Sequence, residues 1–214
     1  MRYGGLSHDW TLKSTLAGLY AAGQQLFDRI GVSMAPCTGR WAGTHAADYA
    51  MSAEHAEIVR QQVDDEKRRV YEPALRTEGI EWKELCSGIA KVMQDYCGDR
   101  KNEELIQLAL RYLGEIRESE ASTLTVRNPH ELMRAIEALD ILTCSEMVAH
   151  ACSARKANCP WLYFDRIDSL DDEDAWKKWI TIKYNGEKVV YGELPLDYAG
   201  DVKENYERYN KYEN

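Results

Sequence analysis

The stretch from Trp82 to Gly98, WKELCSGIAKVMQDYCG, decides the fold because its apolar residues recur at intervals of three and four. The recurring residues are Trp82, Leu85, Ile89, Val92, Met93 and Tyr96. This spacing is typical of an amphipathic helix, and a glycine just beyond the last apolar residue favours the end of that helix. We therefore predict a helix here that buries one apolar stripe in a core.

Helices are also predicted on both sides of this stretch. A charged run that begins at Ser52 indicates a helix reaching about Glu72, with Pro73 ending or kinking it. Downstream, the stripe of a further helix consists of Leu105, Leu108, Tyr112 and Ile116.

The longest helix is predicted to begin at Asn128-Pro129 and to reach about Ala154. Asparagine is a favoured N-cap, and proline suits the first helical position because that position needs no N–H donor. The stripe of this helix consists of Leu132, Ile136, Leu139, Thr143 and Met147. Short loops make neighbouring helices antiparallel, so the chain is predicted to be mainly α, with an antiparallel bundle of three to four helices.

The C-terminal residues have a different pattern. Two runs rich in β-branched and aromatic residues, 179–184 and 188–191, flank Asn185-Gly186, the dipeptide favoured in a type I′ turn. A β-hairpin is predicted here. Tyr206, Tyr209 and Tyr212 then recur among charged residues, which indicates either a short docking helix or a tail that becomes ordered on contact.

The composition excludes several classes of protein. Lys and Arg total 27 of the 214 residues and Asp and Glu total 36, a net charge of -9 that disfavours binding to nucleic acid or anionic lipid. No apolar run approaches the roughly 20 residues of a membrane span, and no secretory signal precedes the first helix, so we expect a cytoplasmic protein. The six cysteines and five histidines lack metal-ligand spacing, and neither a metal site nor a disulfide is expected.

Residues 1–50 differ from the rest of the chain. They carry seven charged side chains, with a net charge of +1, and seven glycines. Residues 51–214 have a net charge of -10. Low charge implies burial on several sides, and glycine permits close approach of backbones. Because so short a stretch cannot form its own core, we interpret it as part of a larger domain, containing a short strand, a glycine turn and a helix of small residues.

No complete catalytic motif for hydrolysis, nucleotide triphosphate binding or dinucleotide binding occurs in the chain. A thiol-redox role for Cys144, Cys152 or Cys159 remains a third hypothesis, although single cysteines on an apolar helix face are usually inert.

Two motifs in the N-terminal region carry a resemblance to a known family. Thr15–Gln24, TLAGLYAAGQ, is followed by GRWAGTHAA at 39–47, and Tyr3-Gly4-Gly5-Leu6 lies upstream. They resemble the G-L-Y-A-A/C-G-E strand, the G-R-x-A-G helix and the M-G-G-I segment of the fumarate reductase/succinate dehydrogenase flavoproteins, which close an FAD site. The resemblance continues at 154–160 and 164–168, which are similar to that family's R-K-E-S-R-G and R-x-D-x-P stretches, and Trp176 matches a tryptophan that follows them. The tail, with its W-K-K-W…K-Y-N-G-E stretch at 176–187, looks somewhat more like the adenylylsulfate reductase α subunit.

The resemblance implies site residues on the cofactor side. Gly23 and Gln24 would approach the ribityl chain of FAD, and Ser33 and Met34 would offer backbone N–H groups to the isoalloxazine edge. Arg29 is the catalytic candidate, as a contact for a substrate anion. The sequence departs from the family by lacking G-x-G-x-x-G and the H-G-A-N-R loop, and by having Gln24 in place of glutamate.

The resulting hypothesis is the C-terminal portion of an FAD-dependent oxidoreductase that exchanges hydride with a small substrate. Its predicted divisions are 1–50 as the C-terminal remnant of an FAD-binding domain, 51–165 as the helical bundle and 166–214 as the hairpin and tyrosine-rich tail. The isolated chain is expected to be inactive and to bind no FAD. Its expected partners are an FAD-binding half or subunit, an iron–sulfur electron-transfer protein and further copies of itself. The alternative is a non-catalytic helical interaction subunit that docks a redox partner.

Overall fold

The computed structural model describes residues 4–26, 31–55, 57–169, 171 and 173–210, and within them the chain forms two compact units. The helical unit consists of the described residues of 57–176 and 182–192. The N-terminal unit consists of the described residues of 2–56, 177–181 and 193–214. The helices are α1 Gly31–Ser52, α2 Arg60–Tyr71, α3 Trp82–Tyr96, α4 Glu103–Glu115, α5 Pro129–Ala154 and α6 Val202–Tyr209.

The core of the helical unit lies between α3, α4 and α5, which all pack against one another. Leu85, Ile89 and Val92 of α3 are buried, which confirms the predicted stripe of that helix. Asn128 caps α5, because its side-chain oxygen accepts a hydrogen bond from the Glu131 amide at 2.9 Å. The predicted mainly α bundle is therefore confirmed.

The buried faces of α4 and α5 are rotated from the predicted ones. On α4, Ile106, Ala109 and Leu113 are buried, whereas Leu105 and Leu108 are only half-buried. The prediction for the second half of α5 was wrong, since Thr143 and Met147 are exposed. The buried residues of α5 are Ala135, Ala138, Leu142, Ser145, Ala149, Cys152 and Ser153. Small side chains allow α5 to approach both neighbours closely, and a stripe of large residues gives no signal of that packing.

The helix predicted to begin at Ser52 begins instead at Arg60. Ser52 is the last residue of α1, and its hydroxyl donates to the carbonyls of Asp48 at 3.3 Å and Tyr49 at 3.0 Å. A serine that bonds backward to helix carbonyls cannot cap the helix that follows. Pro73 lies in a short 3₁₀ turn, Glu72–Leu75, after α2.

Two short strands add to the helical unit beside the ends of α4 and α5. Strand β1, Arg100–Lys101, pairs in parallel with β2, Asp165–Arg166, so that Lys101 lies opposite Arg166. Both of these side chains are buried, whereas Arg100 and Asp165 are exposed.

The predicted hairpin is present as β3, Lys178–Tyr184, and β4, Val189–Pro195. Gly186 has a φ of 98° in its turn, a conformation that glycine adopts without strain. In the tail, Asp201 caps α6, which carries Tyr206 and Tyr209, while Tyr212 lies outside the described residues.

The N-terminal unit contains α1 and the irregular stretch before it. Within 4–26, pairing is limited to isolated antiparallel bridges, His8 with Ser14 and Lys13 with Tyr20. The indole N–H of Trp41 on α1 donates to the Trp10 carbonyl at 3.0 Å. In the described part of the chain, no helix is long and apolar enough to cross a membrane.

Candidate functional site

The glycine turn and the first turns of α1 meet in the N-terminal unit. Gly23 is buried, begins the short 3₁₀ helix Gly23–Gln25 and has a φ of 61°. Its amide donates to the hydroxyl of Thr38 at 3.0 Å, and the same hydroxyl donates to the Met34 carbonyl at 2.8 Å. A Cβ at Gly23 would lie 3.7 Å from the Cβ of Ala35. These contacts hold the turn against the start of α1.

The contact between Gly23 and Thr38 brings four of the sequence-predicted site residues, Gly23, Gln24, Ser33 and Met34, into one region. Gly23 is buried, while Gln24, Ser33 and Met34 are exposed. The first four amides of an α-helix have no acceptor within the helix, so the first turn of α1 offers backbone donors. No acidic side chain lies in that turn to repel a negative partner. Arg29, the catalytic candidate, lies outside the described residues.

A buried ion cluster lies in the helical unit, and the sequence by itself did not predict that its members come together. The side chain of Arg166 is 1% exposed. Its guanidinium donates to Asp168 at 2.9 and 2.7 Å and to Glu103 at 2.9 Å. It also donates to the carbonyls of Cys152 and Arg155, each at 3.0 Å. The cluster therefore ties β2 to the start of α4 and the end of α5.

The two carboxylates of this ion cluster stay ionised well into acid. Burial raises the pKa of Glu103, but hydrogen bonds from Lys156, Gln107, Ser153 and Arg166 outweigh it and lower that pKa to about 2. The Arg166 guanidinium holds the pKa of Asp168 below its usual range, and the Glu103 amide, which donates to Asp168 at 2.6 Å, adds to this effect.

Only one half of this ion cluster had a signal in the sequence. Arg166 and Asp168 lie in the stretch that resembles R-x-D-x-P, whereas Glu103 lies more than sixty residues upstream with nothing to single it out. Asn158 accepts a hydrogen bond from the Arg166 amide at 2.6 Å. Its side-chain oxygen therefore holds β2 at its second residue.

Two surface concavities complete the candidate sites. A shallow groove of about 460 Å³ between α3 and α5 is lined by Met93, Ile141 and Val148, together with the carboxylates of Glu137 and Asp140. In the N-terminal unit, a polar concavity of about 250 Å³ is lined by His8, Asp9, Lys13 and Tyr198, among others. Among the described residues, no group of three or more His, Cys, Asp and Glu side chains is arranged to hold a metal ion.

Comparison with known proteins bears on both units. The sequence pattern of the family described as fumarate reductase flavoprotein C-term matches residues 87–199. No curated protein matches the chain by sequence.

Several solved structures share the fold. A mutant of FrdA from Escherichia coli quinol fumarate reductase matches with a TM-score of 0.77 and 19% identity, covering 89% of this chain and 36% of FrdA. Mycobacterium smegmatis Sdh1 in complex with UQ1 matches with a TM-score of 0.76 and 23% identity, covering 89% of this chain and 35% of that one. The chain thus spans about a third of the length of the solved relatives.

Proposed function

Since this chain belongs to the family of fumarate reductase flavoprotein C-terminal domains, we propose that it forms the C-terminal part of an FAD-dependent oxidoreductase. The observation that carries the proposal is the family match over 87–199, which includes most of α3, all of α4 and α5, and the hairpin. FAD, when bound, supplies hydride exchange at flavin N5 with a small substrate. The protein supplies orientation, charge and the exclusion of water.

The chain's own contribution on the cofactor side comes from the N-terminal unit. Ser33 and Met34 are exposed residues in the first turn of α1, where backbone amides lack helical acceptors, and they suit an acceptor on the isoalloxazine edge since no acidic group lies in that turn. The exposed Gln24 amide can hydrogen bond to a ribityl hydroxyl. Gly23 allows the turn to lie close to α1. This donor set fits one side of a flavin, and Arg29 is proposed to contact the substrate anion.

The remaining FAD contacts have to come from outside these residues, because the chain has no G-x-G-x-x-G motif. We therefore propose that residues 1–50 are the C-terminal remnant of an FAD-binding domain, residues 51–165 a helical bundle domain and residues 166–214 a hairpin and tyrosine-rich tail. The chain alone is expected to bind no FAD and to catalyse nothing. Its partner is an FAD-binding half or subunit.

The first experiment measures flavin in the purified chain. After incubation with excess FAD and gel filtration, we expect no flavin absorbance in the protein peak. A separately produced FAD-binding portion of a family member from the same genome is then added, and a yellow complex is expected. One FAD per chain without that portion would contradict the proposed inactivity of the chain alone, and failure of any such portion to form a coloured complex would contradict the split site.

A matched pair of variants tests the cofactor side. Gln24 and Gln25 are neighbouring, exposed side chains in the same 3₁₀ turn. In the reconstituted complex, Gln24→Leu is expected to raise the Kd for FAD about fivefold to tenfold, the effect of one lost hydrogen bond of about 1 kcal/mol. Gln25→Leu is the control and should leave the Kd unchanged. Equal effects of the two variants would remove Gln24 from the site.

The groove between α3 and α5 favours the alternative function, a non-catalytic interaction subunit. It places the exposed side chains of Ile141 and Val148 beside Glu137 and Asp140, a combination suited to a protein surface with apolar and basic groups. An iron–sulfur electron-transfer protein is the proposed partner of this surface. Binding of such a protein without any flavin in the complex would favour this alternative over the split oxidoreductase.

A further inference from the structure

Lys101 is a buried cation in the helical unit and has no carboxylate partner among the residues that the structure describes. The residue is 1% exposed, and its ammonium lies 3.2 Å from the Asp99 carbonyl and 5.1 Å from the centre of the Phe164 ring. Within the described ranges no carboxylate forms an ion pair with it. Its neighbour across the β1–β2 ladder, Arg166, has both Glu103 and Asp168. A buried charge is costly unless an opposite charge or good hydrogen bonds compensate it.

Two cysteines belong to the cluster that contains Phe164, the residue over whose ring this ammonium lies. Cys97 directly follows α3 and is half-buried, while Cys152 lies in the last turn of α5 and is 1% exposed. Cys97 packs against the small cluster of Ile106, Cys152, Cys159 and Phe164. Folding therefore places Cys97 and Cys152, which are more than fifty positions apart in the chain, in one packed cluster.

The charges around the pair favour one thiolate. The hydrogen bond from Cys97 lowers the pKa of Cys152, burial opposes this, and Lys101 and Arg166 lower it further, to about 7. Arg166 already pairs with two carboxylates, whereas Lys101 forms no ion pair among the described residues, so the Lys101 ammonium is free to balance a thiolate. The same hydrogen bond raises the pKa of Cys97, which keeps the proton.

We propose that Cys97 and Cys152 form a reversible redox pair, a thiol–thiolate stabilised by Lys101 that closes to a disulfide when a hydroperoxide oxidises it. This inference does not depend on the proposed flavin chemistry. The packing of the two cysteines in one cluster, the partial exposure of Cys97 and a buried ammonium that forms no ion pair among the described residues are the observations that support it.

The oxidation proceeds in two balanced steps. The Cys152 thiolate attacks the terminal oxygen of the hydroperoxide, so that an S–O bond forms, the O–O bond breaks and the leaving oxygen takes a proton as alcohol or water. The Cys97 sulfur then attacks the sulfenic sulfur, the S–S bond forms, and the thiol proton leaves with hydroxide as water. The two sulfur atoms together lose two electrons, and the peroxide gains them.

Peptide mapping of the full chain tests the pair directly. The reduced protein is treated with hydrogen peroxide, its remaining thiols are alkylated, and peptides are analysed without reduction. We expect one linked species that joins the Cys97 and Cys152 peptides and weighs two hydrogen atoms less than their sum. Exposed Cys144, on the same helix α5, is the internal control and should stay alkylated. Oxidation of Cys144 with Cys97 and Cys152 still alkylated would overturn the proposal, as would a link from either residue to Cys159.

The role of Lys101 is tested by the pH dependence of the rate of linkage. In the wild type the midpoint is expected near pH 7, well below the ordinary thiol value of about 8.5. Lys101→Met should raise the midpoint by about one unit, slowing linkage at pH 7 by roughly fivefold or more. Lys101→Arg retains the charge and should keep the wild-type midpoint. If Lys101→Met does not fold, the wild-type midpoint decides, and a value at or above about 8.5 refutes a stabilised thiolate.

Discussion

Replacing Arg166 by methionine should destabilise the protein more than any change at its surface. The side chain is 1% exposed and its five hydrogen bonds join two carboxylates and two carbonyls. Removing one partner of a buried ion pair costs about 3–5 kcal/mol. Glu103 and Asp168 keep 36% and 32% of their side-chain surfaces in water, so they are partly resolvated, and we expect the lower end, about 3 kcal/mol.

The assay is thermal unfolding of the full chain followed by circular dichroism. For a protein of this size, about 3 kcal/mol corresponds to a fall in Tm of roughly 6–12 °C. Arg111→Met is the matched control, since Arg111 is 58% exposed and lies 4.0 Å from Glu115. That change should cost less than about 0.5 kcal/mol.

A second variant separates charge from geometry. Arg166→Lys keeps a positive charge but cannot reproduce the planar donor arrangement, so it should fall between the wild type and Arg166→Met. Equal Tm values for Arg166→Met and Arg111→Met would refute the reasoning, because a cluster that joins β2, α4 and α5 cannot be lost without effect.

Three further predictions concern other parts of the chain. Below pH 4.5 the unfolded chain binds more protons at Glu103 than the folded chain, whose pKa there is about 2. Stability that Glu103 contributes is therefore complete above pH 4.5 and lost as pH falls toward 2, and urea midpoints for wild type and Glu103→Gln should converge over that range. Asn128→Ala should cost about 1 kcal/mol by removing the cap of α5, and an unchanged urea midpoint would contradict the capping contact. Gly23→Ala should cost about 1 kcal/mol because its φ is 61°, whereas Gly39→Ala, inside α1 with open space, should be neutral or stabilising.

The sequence predicted those elements whose signals are local. The start of α5 follows from Asn128-Pro129, and the hairpin from Asn185-Gly186 between two β-rich runs. The sequence-based prediction misplaced the start of α2. The serine at position 52 could cap a helix that follows it or bond back to the carbonyls of a helix that it ends, and its identity does not distinguish the two roles. The choice between these roles depends on where α1 ends.

The candidate sites also contain some residues that the sequence singled out and others that only folding brought together. The resemblance singled out Gly23, Gln24, Ser33 and Met34 from motifs within a short stretch, and folding brings Gly23 to the start of α1 through the hydroxyl of Thr38, which no motif indicated. Cys97 and Cys152, which lack any common spacing motif, are brought into one cluster by packing of α3 against α5.

Periodicity, capping residues and turn dipeptides determined where most helices and the hairpin form, because each of these signals acts through the backbone within a few residues. The tertiary structure alone decided which faces of α4 and α5 were buried and which charges met. Lys101 and Arg166 became neighbours only when β1 paired with β2, and among the described residues Arg166 has two carboxylate partners while Lys101 has none. Such pairing depends on contacts between segments that are far apart in the chain. No short stretch of sequence contains both partners, so no local signal can predict the contact.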